Sequence, residues 1–304
     1  MEKNLKNIRQ QFKEQGVFYT SSELAEILKG YVPFRPKKVY DPTCGSGNLL
    51  KVFDDDILKY GQELDETQVE IARKELKNFI GYVGDTLKDD KFANEKFDCI
   101  VANYPFSIKW EPNKNDVRFK DCKTLAPPSK ADYAFLQHII YHLEDNGIAV
   151  CLNFPGIAYR GNAEGKIRQW FIDNNFIERV VNIPEKTFID TSIATLLLVL
   201  RKNKSNTNIT FEDKESGAIK EVSYEEVKKH NYNLSVNTYI ETETKKEEID
   251  IDKVNKSIVD NIIKEIENIL KCNRTIEQFF GEDNFHTDYL IEKLKEIIKE
   301  YERV

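Results

Sequence analysis

The residues best suited to chemistry fall in four short stretches near the start of this sequence. One is Ala102-Asn103-Tyr104-Pro105-Phe106-Ser107. It follows the apolar run Phe97-Asp98-Cys99-Ile100-Val101, which predicts a short buried strand. A strand that stops on Asn, then Pro, then an aromatic puts a carboxamide, a stiff backbone and a flat ring at one sheet edge. That set can hold an amino group and stack on a planar base. A second stretch, Asp41-Pro42-Thr43-Cys44-Gly45-Ser46-Gly47, lies between a strand and a helix. Its glycines let the backbone approach a nucleotide-like ligand, and Asp41 can meet a charged or hydroxyl-bearing group. Glu63 stands 22 residues after Asp41, near the spacing of a carboxylate that binds ribose hydroxyls. Asp85, in Gly84-Asp85-Thr86-Leu87, can accept from an adenine amino group. No Gly-Lys-Ser/Thr follows the glycine turn, which excludes a P-loop. Each acid taken singly reads as a turn or cap residue. Three acids and an amide at successive strand ends, joined by a glycine turn, mark a site.

Such residues need a sheet whose strands end on one edge. The chain has 304 residues, 40% hydrophobic and 32% charged, enough for one large α/β domain and something smaller. Residues 1–15 predict a polar helix. Ser21 or Ser22 can cap the next helix, which runs to about Gly30 with Glu23 in its first turn. Strands are expected at Lys38–Tyr40, Ile57–Glu63, Ile80–Val83, Phe97–Val101, Ile148–Phe154, Glu178–Ile183 and Ser192–Leu200. Helices are expected over 65–78, Lys130–Leu143 (amphipathic, closed by Asn146-Gly147) and 163–174. The result is a Rossmann-like, seven-stranded open α/β sheet with flanking helices over residues 1–240, with Ile209-Thr210-Phe211 as an edge strand. Residues 241–252 read as an acidic linker, and 253–304 as a short helical tail. The tail carries one apolar stripe through Val254, Ile258, Ile262 and Ile266 and another through Leu290, Leu294 and Ile298. Two short helices cannot bury both stripes on each other, so the tail either folds onto its own domain or docks a partner subunit.

No apolar run reaches membrane-spanning length and no signal peptide is visible. The five cysteines form no CxxC pair. A cytoplasmic protein is expected, without membrane, disulfide framework or zinc site. His138 and His142 lie four apart on one helix, but no acidic or third-ligand pattern joins them, so no metal is expected. Net charge is −7. Residues 241–304 hold 17 Asp/Glu and 11 Lys/Arg, a local −6, which leaves −1 for the rest. Within that remainder, 107–130 carries six cations (Lys109, Lys114, Arg118, Lys120, Lys123, Lys130) and three acids. This loop is a candidate phosphate contact, although taken alone a solvated surface loop is the favoured reading.

With these motifs in view, the sequence resembles the N6-adenine DNA methyltransferases, and within them the modification subunit of type I restriction-modification systems. The resemblance runs from about Gly16 to Tyr239. It is carried by Gly16-Val17-Phe18-Tyr19-Thr20, the glycine turn, Tyr60-Gly61-Gln62-Glu63, Gly84-Asp85-Thr86-Leu87 and Asn103-Tyr104-Pro105-Phe106. Lys130-Ala131-Asp132-Tyr133-Ala134-Phe135 and Asn233-Leu234-Ser235-Val236-Asn237-Thr238-Tyr239 extend it. It implies S-adenosylmethionine as methyl donor, with Phe18, Tyr19 and Thr20 along it and Gly45 and Gly47 backing its methionine part. Asp41, Thr43, Thr86 and Asn103 join the same cofactor set, Glu63 takes the ribose and Asp85 the adenine amino group. The catalytic set is Asn103, Tyr104, Pro105 and Phe106.

The adenine amino lone pair is conjugated with its ring and nucleophilically poor. Hydrogen bonds from N6–H to the Asn103 side-chain oxygen and the Tyr104 carbonyl localise it, so transfer needs mostly positioning. The base must leave the duplex, and Phe106 then stacks on it, a contact worth ~1–3 kcal/mol.

The family usually has Pro where this chain has Tyr104. Because a backbone carbonyl acts there, activity is expected to survive. The resemblance also sets the expectation that the family's N-terminal helical domain is missing, since about fifteen residues precede Gly16. With no segment long enough for target recognition, specificity for double-stranded DNA is expected from a partner subunit docked partly through 253–304, with a restriction subunit as a further partner. Two alternatives stay open: a protein-glutamine or RNA N-methyltransferase sharing the Asn-x-Pro-aromatic motif, and an inactive scaffold.

Overall fold

The computed structural model describes residues 20–184, 195–241, 251–280 and 287–301. The expected helix over 1–15, Phe18, Tyr19, and most of the acidic linker lie outside them. The chain forms two compact units, Met1–Thr242 and Glu243–Val304.

The first unit is built on one nine-stranded sheet in the order β3-β2-β1-β4-β5-β7-β6-β8-β9. Its strands are β1 (Lys38–Asp41), β2 (Leu58–Glu63), β3 (Phe79–Val83), β4 (Phe97–Ala102), β5 (Leu143–Asn153), β6 (Ile177–Ile183), β7 (Thr195–Arg201), β8 (Ile209–Asp213) and β9 (Ile219–Val222). The strands from β3 to β5 pair in parallel, while β7 runs antiparallel to both β5 and β6. The order reverses between β1 and β4, the switch point where an open α/β sheet has room for a ligand beyond its carboxyl ends.

The first seven strands match the expected sheet, and two more extend it. Ile209-Thr210-Phe211 is not an edge: β9 pairs with it antiparallel, and Phe211 is fully buried, its ring 4.2 Å from that of Tyr239. The β9 sequence, Ile-Lys-Glu-Val, is mostly exposed and therefore shows little apolar signal.

Among the described residues, six α-helices accompany these strands: α1 (Ser22–Lys29), α2 (Asn48–Lys51), α3 (Glu66–Glu75), α4 (Asp132–His142), α5 (Asn162–Asp173) and α6 (Tyr224–Lys229). Ser21 caps α1, its hydroxyl accepting from Leu24 N at 3.2 Å; removing such a cap costs about 1 kcal/mol. Helix α4 is not amphipathic as expected. Ten of its eleven residues are buried, because it lies within the larger of two apolar clusters, with Tyr40, Phe97 and Ile100 of the sheet. Nor does Asn146-Gly147 close it: β5 already begins at Leu143, and the register against β4 shifts between Phe97 and Cys99 to absorb the extra residues. A second cluster, including Leu24, Leu28, Leu50, Val101 and Val150, contains the α1 and α2 side chains.

The second unit holds α7 (Ile251–Phe280) and α8 (Thr287–Tyr301). On α7, Ile258, Val259, Ile262 and Ile263 remain about half exposed. No helix among the described residues is long and apolar enough to cross a membrane.

Candidate active site

The parallel strands β1, β2, β3 and β4 bring Asp41, Glu63, Asp85 and Asn103 to one edge. Asp41 ends β1 and is 2% exposed. Its Oδ1 accepts from Thr43 N at 3.0 Å. Burial, aided by the Glu63 charge and opposed by the Thr43 main-chain N–H, pushes its carboxyl up to about 8.

The turn that follows needs glycine twice: Gly45 has φ +51° and Gly47 φ +87°, a region costly for residues with a Cβ. A Cβ on Gly45 would meet open space, whereas one on Gly47 would lie 2.5 Å from Leu76 Cδ1. Glu63 clamps this turn from β2, its Oε2 accepting from Gly45 N at 2.9 Å. Its Oε1 accepts from Leu64 N at 2.7 Å and Asp65 N at 3.1 Å. Asp85 is exposed beyond β3, with Oδ1 accepting from Leu87 N at 2.9 Å. The next residue, Thr86, donates its hydroxyl to Pro42 O at 2.5 Å and so ties that turn to the glycine turn.

Asn103 follows β4. Its Nδ2 donates to Thr20 Oγ1 at 3.0 Å, while Oδ1 is buried without a hydrogen-bond partner. Thr43 Oγ1 is likewise buried and unpartnered. Such groups are rare because each costs about 1–3 kcal/mol when left unmade. Thr20 is held from a second side, where Asn48 Nδ2 donates to its carbonyl at 3.0 Å. The end of the Gly16–Thr20 segment is thus fastened to both the glycine turn and the Asn103 motif.

Tyr104 points its side chain inward. It is fully buried, its ring stacks on Phe135 at 4.8 Å and 12°, and its hydroxyl donates to Asn153 Oδ1. Asn153 in turn donates from Nδ2 to Cys151 O at 2.8 Å. No hydrogen bond reaches the Tyr104 carbonyl among the described residues. Phe106 is half-buried, edge-on to Tyr104 at 6.3 Å. Ser107, at φ +54°, is anchored by its N–H to Asp132 Oδ2 at 3.1 Å. The other Asp132 oxygen is buried and unpartnered, and burial raises this carboxyl above the usual range. Asn48, Asn153 and Asp132 were not singled out from sequence; only Asp132 left a signal, its place in the Lys130–Phe135 motif.

The basic loop is closed at its base, Ala131 N donating to Ile108 O at 2.9 Å and Trp110 Nε1 to Pro127 O at 3.0 Å. Lys109, Lys114, Lys120 and Lys123 are exposed on it and Lys130 is half-buried. Arg118 corrects the expectation of a phosphate contact: its side chain is 4% exposed and hydrogen-bonded to protein. The expectation for the histidines also changes. An acid does join them, Asp90, whose Oδ2 lies 2.8 Å from His142 Nε2.

Comparisons with known proteins identify the family. The N-6 DNA Methylase family model covers residues 2–221, which include the glycine turn, the strand-end acids and the Asn103 motif. The chain is similar to the type I restriction enzyme MpnII methylase subunit of Mycoplasma pneumoniae, 33% identical over 83% of this chain and 58% of that protein. It is also similar to the MjaVII methylase subunit of Methanocaldococcus jannaschii, 25% identical over 85% of this chain and 57% of that one. Among solved structures, the type I restriction-modification methyltransferase subunit from Streptococcus thermophilus superimposes with a TM-score of 0.67 at 30% identity, covering 73% of this chain and 59% of that one. This chain therefore spans a little over half the length of these relatives. With a family model over most of its sheet and its strand-end residues gathered on one edge, the chain belongs to the N-6 DNA methylase family.

Proposed function

We propose that this chain is the catalytic part of an S-adenosylmethionine-dependent DNA methyltransferase that methylates adenine N6, as the modification subunit of a type I restriction-modification system. The observation that carries the reading is the buried, unpartnered Asn103 Oδ1 at the end of β4. It is an acceptor without a donor, beside a carbonyl that is also free among the described residues. Two neighbouring acceptors left without donors suit one amino group with two N–H bonds.

The residues present fit the cofactor. Thr43 Oγ1 is unpartnered and Gly45 opens on empty space, so a ligand can lie against the turn. Glu63 keeps lone pairs for ribose hydroxyls after accepting three main-chain N–H groups. Asp85 serves the cofactor adenine, and Thr20 lies along the cofactor. When bound, S-adenosylmethionine supplies an electrophilic sulfonium methyl.

The protein's own contribution is positional and electrostatic. Asn103 Oδ1 and the Tyr104 carbonyl hold the target amino group and draw its lone pair out of ring conjugation. Phe106 stacks on the flipped base, and Pro105 stiffens the turn. Tyr104 keeps its carbonyl in place through a ring packed in the core, which is compatible with activity despite the family's usual proline. Lys109, Lys114, Lys120, Lys123 and Lys130 contact DNA phosphate. The half-exposed stripe of α7 supports docking of 253–304 on a specificity subunit.

The test is transfer of labelled methyl to adenine-containing DNA, with and without a candidate specificity subunit, using Asn103→Ala as control. Transfer to DNA that needs the partner and disappears in Asn103→Ala is expected. A purified chain that methylates one defined site alone would sink the partner assignment, and transfer only to RNA or protein would sink the substrate.

A further inference from the structure

We infer that Arg118 is a positioning residue for the cofactor-binding turn Asp85–Leu87, an inference that rests on the cofactor reading above. Arg118 lies on a 3-10 turn, Val117–Phe119, within the basic loop, yet its side chain faces away from solvent. Its Nη1 donates to Thr86 O at 2.7 Å and its Nη2 to Leu87 O at 2.6 Å. These two carbonyls belong to the turn that displays Asp85, so the guanidinium fork grips that turn from behind. Thr86 Oγ1 fastens the same turn to Pro42 O. Arg118 thereby sets the distance between Asp85 and the glycine turn.

The guanidinium is itself held in a buried network. Asp116 accepts from Nε at 3.0 Å and from Nη2 at 2.6 Å. His138 Nδ1 lies 2.9 Å from Nη1. Because a guanidinium only donates, that nitrogen must accept, which leaves the His138 proton on Nε2, facing the Tyr40 hydroxyl at 3.1 Å. Burial, with His142 and Arg118 beside it, holds His138 well below the usual imidazole range, in keeping with a neutral ring. His142 faces two acceptors, Glu95 O at 2.9 Å from Nδ1 and Asp90 Oδ2 at 2.8 Å from Nε2.

Asp90, His138 and His142 bring three ligand atoms within 4.8 Å of one another. Arg118 Nη1 lies 2.9 Å from His138 and 3.7 Å from Asp90. The cation this cluster faces is the guanidinium. Arginine suits the position because one planar fork can serve two carbonyls, a carboxylate and a ring nitrogen together; a lysine ammonium cannot.

The experiment compares Arg118→Lys, Asp116→Asn and Lys120→Met in the full chain. The measurements are calorimetric titration with S-adenosylhomocysteine, DNA binding, steady-state methylation with the specificity subunit, and thermal melts. Arg118→Lys is expected to weaken S-adenosylhomocysteine binding about tenfold, the loss of one charge-assisted hydrogen bond. KM for the methyl donor rises by a similar factor, and kcat at saturating donor changes by less than about threefold. Asp116→Asn, which keeps the arginine and loosens its orientation, moves the same quantities by about threefold. Lys120→Met leaves cofactor binding unchanged and weakens DNA binding.

The inference is overturned if folded Arg118→Lys binds the cofactor product like the wild type, or if it weakens DNA binding alone. Should Arg118→Lys not fold, a folded Asp116→Asn with wild-type affinity overturns it. Wild-type protein that fails to bind S-adenosylhomocysteine refutes the cofactor reading instead.

Discussion

Removing one oxygen from Tyr104 separates two ways of holding the catalytic backbone. In Tyr104→Phe the ring keeps its stack on Phe135 at 4.8 Å, but Asn153 Oδ1 loses the hydroxyl that donates to it. Asn153 is fully buried, so water cannot replace the donor. An orphaned buried acceptor costs about 1–3 kcal/mol. In a domain of this size that lowers the melting temperature by roughly 3–9 °C. Activity is expected to fall much less, since the ring alone still fixes the Tyr104 carbonyl; kcat should stay within about tenfold of wild type. Adding Asn153→Leu removes the orphaned acceptor and should recover part of the lost stability, the remainder going with the Asn153 Nδ2 bond to Cys151 O. Tyr104→Pro, the family's usual residue, should be worse than Phe by about 2–4 kcal/mol, because it empties the space of a buried aromatic ring. Circular-dichroism melts and initial-rate methylation assays measure both quantities. A Tyr104→Phe protein that melts like the wild type would refute the reasoning, as would one of unchanged stability that has lost its activity.

Three further outcomes are expected. Asp41 is raised to about 8 by burial, so the folded protein holds a proton there that the unfolded chain has released, and stability from this group declines as pH rises from about 4 to 8. A cationic ligand favours the carboxylate and expels that proton, so cofactor affinity should increase between pH 6 and 8 and this dependence should flatten in Asp41→Asn; calorimetry showing a level profile in the wild type would contradict it. Asp132→Asn should be close to silent in stability, because burial already favours a neutral side chain there and the amide oxygen still accepts from Ser107 N. Asp132→Ala should cost about 1–2 kcal/mol in a urea titration and raise KM for DNA by freeing the chain after Phe106; equal behaviour of the two variants would count against this. Gly47→Ala, forced into φ +87° with Leu76 close by, should lose about 1–2 kcal/mol and weaken cofactor binding, and an unchanged denaturation midpoint would disprove the strain.

Local features of this protein were legible in its sequence because their causes are local. Asp41, Glu63, Asp85 and Asn103 could be assigned to one edge since each follows a short apolar run, and parallel strands joined by helices must end on the same side. The glycine turn declared itself because Gly45 and Gly47 occupy backbone regions that side chains avoid. The Ser21 cap needed only its own first turn.

The errors share another origin. The charge of Arg118 suggested solvent, but its carbonyl partner Thr86 lies 32 residues away. Asp90 reaches His142 across 52 residues, Tyr104 finds Asn153 across 49, and Asn103 meets Thr20 across 83. The apolar strand signals of β8 and β9 are weak because their burial depends on the sheet they join. The sequence by itself determined which residues end the strands and where the glycine turn lies. Only the tertiary structure decided which polar side chains are buried and with whom, because that follows from packing across the sheet, where a charge stays inside only if a distant partner meets it.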